Sequence, residues 1–423
     1  MRIYCETYGC TANRGDSEIM MGLLRSSDHE LAESLETADL VLLNTCAVKG
    51  ATYRKMLRRI AYLVRARGFR VVVAGCLPLI DFSSVKALGV QGAVSCRSLD
   101  LVSRVVERVG RGENGVYLVT ARDLEKPCMP KLREGKISAV VSIAEGCVSK
   151  CAYCSVRLAR GRIRSFSPES IVGEVKSAVR SGYREILLTA QDTAAYGADT
   201  GTTLPSLLRR ITEIDGNFIV RVGMMNPRNT SRIVSDLIDV YESEKIYKFI
   251  HLPVQSGDDD LLELMKRGYR AEDYVRTVEK FREKFPDIYL ATDIIVGFPG
   301  EGDGEFRNTL EIIERTKPDK VNISRFSPMP GTEAAILPAP NWKDVAERSR
   351  RLTSLCHRIG LEINRRYIGT EQMGLATAPG RKGGVTIRLH NYKPAIAKDA
   401  TLGTWSRFRI TGATATYLSA EKL

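Results

Sequence analysis

Residues 1–125 alternate short apolar runs with longer segments whose apolar positions return every three or four residues. The runs at 3–6, 40–43, 71–74 and 93–95 predict strands, and the segments at 17–24, 51–65 and 99–109 predict amphipathic helices between and after them. Such alternation predicts a parallel sheet with helices on both faces, a doubly wound α/β domain. Residues 111–136 carry Gly112, Gly115, Pro127, Pro130 and Gly135, a density of turn formers that predicts a linker.

Strand-like runs resume at 137–144 and recur at 185–189, 218–222, 248–252, 289–296 and 320–324, with helical stretches between them. These units predict a partial (β/α)6 barrel, where functional groups gather at the strand C-terminal ends. One helix start is explicit. Ser167 caps it, Pro168 takes the first turn, and Ile171, Val175, Ala178 and Val179 form the apolar face. Residues 342–366 predict a long connecting helix. Beyond it, short runs at 373–376, 384–389, 395–397, 405–411 and 416–418 predict a small β-barrel of OB-like size, a fold that commonly binds oligonucleotides. The expected domains are 1–125, 133–365 and 366–423.

Composition adds location and charge. Of 423 residues, 43% are hydrophobic and 27% charged, ordinary for a globular chain with ample core. The longest apolar run, 71–80, is broken by Gly and Pro and is too short to span a bilayer, so no membrane role is expected. The N-terminal residues enter a strand pattern without a signal-peptide core. Ten cysteines then point to a reducing compartment and to metal or redox roles over disulfides, and a cytoplasmic location is expected. The net charge is +13, and from Arg366 onward nine Lys/Arg face three Asp/Glu. A basic module suggests a polyanionic partner, most simply nucleic acid. Charge alone is equally consistent with solubility and no partner.

Cys147, Cys151 and Cys154 stand in CxxxCxxC spacing directly after an apolar run. A 4Fe–4S cube normally takes four thiolates; three leave one iron open, the kind of position where a substrate or cofactor binds. Zinc or a chance grouping is the competing reading, but structural zinc wants a fourth nearby ligand, and the next downstream Cys or His is His251. Cys10, Cys46 and Cys76 follow the first three predicted strands. Loops after the strands of a doubly wound sheet gather along one edge, so these form a second three-thiolate constellation. Singly, each would be an inert core residue. Cys5, Cys96, Cys128 and Cys356 match no motif and read as structural or free.

The CxxxCxxC spacing with Tyr153 before its last cysteine resembles the radical S-adenosylmethionine (SAM) superfamily. Gly9-Cys10, Asn13, Asp16-Ser17-Glu18, Asn44-Thr45-Cys46 and Ala74-Gly75-Cys76 resemble the N-terminal domain of the methylthiotransferases. The C-terminal segment, with Gly380, Gly383, Gly384 and Gly403, resembles the TRAM domain of those enzymes. The resemblance implies SAM and two 4Fe–4S clusters. One, on Cys147, Cys151 and Cys154, would bind SAM; the auxiliary one, on Cys10, Cys46 and Cys76, would serve sulfur insertion, with a second SAM giving the methyl group. It also implies SAM contacts at Tyr153, Gln191 and Asp192 and at the turn of Gly297 and Gly300. No catalytic residue beyond the cluster ligands is identified. RNA contact is expected from Arg157, Arg160, Arg162 and Arg164, whose alternative reading is a solvated face. On the C-terminal barrel it is expected from Arg388, Tyr392, Lys393, Arg407 and Arg409.

Members of this family act on adenosine beside the tRNA anticodon or on an aspartate of a ribosomal protein. The run Arg221 to Pro227 and the block 5–18 are similar to archaeal and eukaryotic enzymes acting on N6-threonylcarbamoyladenosine, while Gln191-Asp192-Thr193 has a counterpart in the ribosomal-protein branch. The expectation is a tRNA methylthiotransferase converting N6-threonylcarbamoyladenosine at position 37 to its 2-methylthio derivative. Its partners would be the anticodon stem-loop, an electron donor of ferredoxin or flavodoxin type and a sulfur source. Isopentenyladenosine or the ribosomal-protein aspartate are alternative substrates. The alternative class is a non-catalytic iron–sulfur protein that binds RNA or carries electrons.

Overall fold

The computed structural model describes residues 1–423. The N-terminal alternation becomes a six-stranded parallel sheet in the order β2-β1-β3-β4-β5-β6. Its strands are β1 (Arg2–Thr7), β2 (Glu30–Leu31), β3 (Leu40–Thr45), β4 (Val71–Gly75), β5 (Gly92–Val94) and β6 (Val116–Leu118). β3 and β4 are buried along their whole length, as continuous apolar runs covered on both faces must be. β2 is too short to show a pattern, and β6 lies inside the stretch expected as linker. The first helix, Thr11–Ser26, begins well before residue 17. Its first turns bury Asn13, Asp16, Ser17 and Glu18, so they lack the apolar stripe by which a helix is read.

The second domain opens with β7 (Ser138–Ser142). A short antiparallel hairpin, β8 (Ala144–Glu145) with β9 (Arg164–Ser165), then brackets the loop of Cys147, Cys151 and Cys154. β10 (Glu185–Thr189), β11 (Ile219–Arg221), β12 (Phe249–His251), β13 (Tyr289–Val296) and β14 (Lys320–Arg325) follow. They form two parallel three-stranded sheets, β11-β10-β7 and β12-β13-β14, joined by a bridge between Val220 and Ile246. This is the partial six-stranded barrel, and the layer between its strands and the helices around them is the largest core of the chain. Ser167 caps the helix Pro168–Arg180 as expected, its Oγ accepting from the Ser170 amide at 3.2 Å.

The helix Trp342–Arg365 leads to a closed barrel of β15 (Glu371–Pro379), β16 (Val385–Leu389), β17 (Pro394–Ala397), β18 (Trp405–Ala413) and β19 (Leu418–Lys422), in the order β15-β16-β17-β19-β18. It docks on the N-terminal ends of the large barrel's strands. Leu375 packs with Ile219, Tyr247, Phe249 and Tyr289, and the Tyr392 ring lies 4.9 Å from Tyr247 and 4.8 Å from Phe249. Lys393, 2% exposed, donates through Nζ to Asp319 Oδ1 at 2.5 Å and to Asn364 Oδ1 at 2.7 Å. Arg388 sits over the Tyr392 ring at 4.4 Å. Two residues expected to contact RNA, Tyr392 and Lys393, are therefore engaged in holding the domains together, and a third, Arg388, is stacked on Tyr392. Arg407 and Arg409 remain exposed, the latter paired with Glu371 at 2.8 Å.

Candidate active site

At the C-terminal ends of the large barrel's strands lies a cavity of about 970 Å³. Cys147, Cys151, Cys154, Tyr153, Gln191 and Asp192 all line it. The cysteine loop is fixed at its start by Gly146 (φ 81°), where a Cβ would stand 2.0 Å from the Arg162 carbonyl oxygen. The Gly146 amide donates to Gln191 Oε1 at 2.7 Å, and the Cys147 amide to the Gly161 carbonyl at 3.2 Å. The sulfurs face donors: the Ser149 amide is 3.4 Å from Cys147 Sγ, and Arg267 Nη1 is 3.2 Å from Cys151 Sγ. Burial pushes the free thiols of Cys147 and Cys154 up to about 11 and about 12; a bound metal would deprotonate them outright.

Asp192 accepts from the amides of Ala194 and Asn226 and from Asn229 Nδ2 at 3.2, 2.9 and 2.7 Å. It therefore ties the end of β10 to the loop after β11. Gly297 and Gly300, expected at the SAM site, do not line the cavity. Gly297 (φ 76°) donates its amide to Glu301 Oε2 at 2.6 Å, and a Cβ there would meet Val345 Cγ2 at 2.3 Å. Gly300 borders a separate small pocket of about 190 Å³ with Glu301 and Arg348. Both glycines serve a tight turn packed under the long helix, which any strand end of this kind can require.

Cys10 caps the helix Thr11–Ser26, Cys46 follows β3 and Cys76 follows β4. Their loops touch: a Cβ on Gly9 would stand 2.7 Å from Cys46 Cβ. Asn13 binds them together, donating from Nδ2 to the carbonyls of Tyr8 (2.6 Å) and Thr45 (3.0 Å), with Oδ1 3.8 Å from Cys76 Sγ. Burial pushes Cys46 up to about 11. Cys76 is instead lowered to about 6, by a hydrogen bond from the Cys96 thiol and by Arg160, against the opposing effect of burial. The role of Cys96 was not legible: it follows β5 as Cys76 follows β4, and it is fully buried behind Cys76. All ten cysteines are unpaired, and no group of three or more Cys, His, Asp or Glu is set to hold a metal ion. Two all-sulfur trios, the first with N–H donors beside Cys147 and Cys151, offer the thiolate ligands that iron–sulfur clusters take.

A buried charge clamp joins the two trios. Lys126 Nζ lies 2.7 Å from both Asp16 Oδ1 and Glu145 Oε1; Arg160 lies 2.6 Å from Asp16 Oδ2 and 2.9 Å from Glu145 Oε1. Arg160 also donates to Asn13 Oδ1 at 3.1 Å. Asp16 belongs to the N-terminal domain, Glu145 directly precedes Gly146-Cys147, and Arg160 ends the short helix after Cys154. Of the arginine strip, Arg160 is thus interior, and Arg164 is turned onto Phe166 and Glu125. Arg157 lines the cavity and Arg162 is exposed, leaving these two facing outward. The cavity's outer wall, unforeseen in the sequence, comes from Lys49 and Arg54 of the N-terminal domain and from Ser324, Ser327 and Trp342.

Comparison with known proteins agrees with this layout. Residues 141–313 match the Radical SAM superfamily and residues 2–92 match a family described as Uncharacterized protein family UPF0004. The chain is 46% identical to a probable threonylcarbamoyladenosine tRNA methylthiotransferase of Pyrococcus abyssi, over 100% of this chain and 99% of that one. It is 48% identical to the protein of that name from Archaeoglobus fulgidus, covering 100% and 98%. With the human threonylcarbamoyladenosine tRNA methylthiotransferase it shares 33% identity, over 84% of this chain and 62% of the human one. The radical SAM methyltransferase TsrM of Kitasatospora setae superposes with a TM-score of 0.58 at 15% identity, covering 79% and 77% of the two chains, a likeness of fold.

Proposed function

The chain belongs to the threonylcarbamoyladenosine tRNA methylthiotransferases, and on that premise we propose that it places a methylthio group on C2 of N6-threonylcarbamoyladenosine at position 37 of tRNA. The observation that carries this reading is the joining of two three-cysteine sets, from different domains, by one buried clamp. A SAM-cleaving enzyme of simpler outcome needs only the set on the cavity floor. The relatives' names favour tRNA over a ribosomal-protein side chain and threonylcarbamoyladenosine over isopentenyladenosine.

When bound, SAM and its cluster supply a 5′-deoxyadenosyl radical for hydrogen abstraction, the second cluster supplies sulfur, and a second SAM supplies the methyl group. Cys147, Cys151 and Cys154 would hold the first cluster, Cys10, Cys46 and Cys76 the second. Around them, the protein's task is position and exclusion of water. Arg267 and the Ser149 amide fix the sulfurs of Cys151 and Cys147, Gln191 fixes the start of the cysteine loop, and Tyr153 offers an aromatic face to adenine. Ferredoxin- or flavodoxin-type reduction and an external sulfur source complete the proposal. A cytoplasmic setting is supported by ten free cysteines, which suit a reducing compartment.

Anaerobic reconstitution with SAM and tRNA, followed by nucleoside mass spectrometry, tests the function. A methylthio mass gain on threonylcarbamoyladenosine is expected; a gain only on another nucleoside, or none, overturns it. Cys147→Ala should abolish deoxyadenosine release, whereas Cys76→Ala should block sulfur insertion and leave some release. Equal loss in both would remove the division of labour.

A further inference from the structure

The cavity has two chemically different ends. Its floor carries the cysteines, Tyr153 and Gln191; its outer wall carries Lys49 and Arg54. Lys49 Nζ is 3.0 Å from Ser324 Oγ, and Arg54 Nη1 is 3.4 Å from Ser327 Oγ. Neither cation has a carboxylate within ion-pair distance, whereas Arg59, Arg160 and Arg348 elsewhere in the chain do. The carboxylates that share the cavity are already committed. Asp192 is held by three N–H donors, and Asp293 by His251 Nε2 at 3.2 Å and Asn322 Nδ2 at 2.7 Å. The wall therefore presents two cations with no carboxylate in contact, flanked by two hydroxyls; Asp293 is near enough to Lys49 to feel its charge, and Lys150, Arg157 and Arg325 line the same cavity, also outside any ion pair. It is also a two-domain surface. A Cβ on Gly50 would lie 2.0 Å from Ser327 Oγ, so the residue between Lys49 and Ala51 touches the large barrel with no room for a side chain.

We propose that Lys49 and Arg54 form the subsite for the carboxylate of the substrate's threonylcarbamoyl group, with Ser324 and Ser327 beside it for that group's hydroxyl and carbonyl oxygens. The proposal rests on the function argued above. In adenine, C2 and the N6 substituent flank N1 on one edge of the ring. A base that presents C2 between the two cysteine trios must therefore direct its N6 substituent along the same wall. Lys49 lies three residues after Cys46, in the loop leaving β3, so the cationic wall begins where the sulfur-bearing set ends. Trp342, half exposed at the same rim, offers a face on which a neighbouring base can stack. A planar guanidinium and a point ammonium together suit a carboxylate, the first by paired hydrogen bonds and the second by charge.

A backbone phosphate would offer similar chemistry, and the test separates the two. Reconstituted holoenzyme is titrated with three fluorescent anticodon stem-loops: one carrying threonylcarbamoyladenosine, one carrying its primary amide, and one with unmodified adenosine. The wild type should prefer the acid over the amide by at least about tenfold, the size of one charge-assisted hydrogen bond. In the Lys49→Gln/Arg54→Gln double variant that preference should fall to about twofold or less, and Lys49→Arg alone should retain it. The ratio of two affinities in one sample does not depend on the fraction of protein that is competent, so partial misfolding cannot imitate the result. An unchanged ratio in the double variant overturns the proposal. So does an equal weakening toward all three stem-loops, which marks a phosphate contact. If methylthio product forms while the ratio is unchanged, the subsite alone is wrong; if the wild type forms no product, the function itself is wrong.

Discussion

Lys126→Met is the most informative single perturbation of the domain junction. Lys126, Asp16, Glu145 and Arg160 have side chains only 1–5% exposed. Two cations face two carboxylates there. Without Lys126 the two carboxylates face one guanidinium, and a net negative charge stays buried. Each 2.7 Å contact represents about 6 kcal/mol of attraction at an effective dielectric of about 20. Much of that offsets the desolvation of the ammonium, and stripping one partner from a buried pair costs about 3–5 kcal/mol. Native-state hydrogen exchange in the helices Thr11–Ser26 and Val156–Arg160 should therefore accelerate by about a hundredfold or more. Adding Asp16→Asn restores charge balance and should recover part of the loss. Acceleration of less than about fivefold, under about 1 kcal/mol, would refute the view that this clamp holds the two cysteine-bearing segments in register.

Three further outcomes are expected. Burial pushes the Glu18 carboxyl up to about 7, against Arg133, Arg14 and Lys131. The folded state then holds this proton more tightly than the unfolded chain, so its contribution is full below the ordinary value of 4.5 and is lost as pH rises through about 7. Glu18→Gln should flatten that decline in urea melts between about pH 5 and 8; an identical slope would count against it. Gly297→Ala, in the left-handed region and against Val345, should cost about 2–4 kcal/mol in thermal melts while SAM affinity holds; lost SAM affinity with unchanged stability would return Gly297 to the cofactor site. Arg407→Ala should weaken binding to every tRNA alike and lower the salt slope by about 1, whereas Lys393→Met should lower stability and leave that slope unaltered.

The cysteine sets were legible because a thiolate's chemistry is carried by residue type and spacing, and because loops of a parallel sheet converge whatever their sequence. The barrel strands were legible for a related reason: 185–189 and 289–296 are bounded apolar runs that became β10 and β13 unchanged. What failed was the reading of charge. Arg157, Arg160, Arg162 and Arg164 look alike in the sequence, yet Arg160 is interior, because its partners Asp16 and Asn13 lie far upstream. Lys393 is buried by Asp319 and Asn364 for the same reason. Burial of a charged group is decided by distant partners, which no local pattern records. The block Asn13, Asp16, Ser17 and Glu18 was noticed only by resemblance. Its physical content is that Asn13 seats the cysteine loops, Asp16 anchors the clamp and Ser17 bonds Thr7 and Asn44.

These placements separate two tasks that the sequence had merged into one RNA surface. The small barrel packs on Tyr247, Phe249 and Tyr289, at the starts of β12 and β13 or just before them, whereas Ile295, near the far end of β13, lines the cavity. Six residues of extended chain between Tyr289 and Ile295 span about 20 Å, so the face on which the small barrel docks and the cavity lie at opposite ends of the large barrel's strands. A stem-loop whose nucleotide is drawn into the cavity would then be expected to meet this barrel along its stem, where backbone contacts position without reading sequence. On the proposal above, choice of nucleoside resides at the cavity wall, in Lys49, Arg54 and their hydroxyl neighbours. Affinity for tRNA and selection of the modified base are therefore separable: Arg407 variants should alter the first without the second, and Lys49 variants the second more than the first.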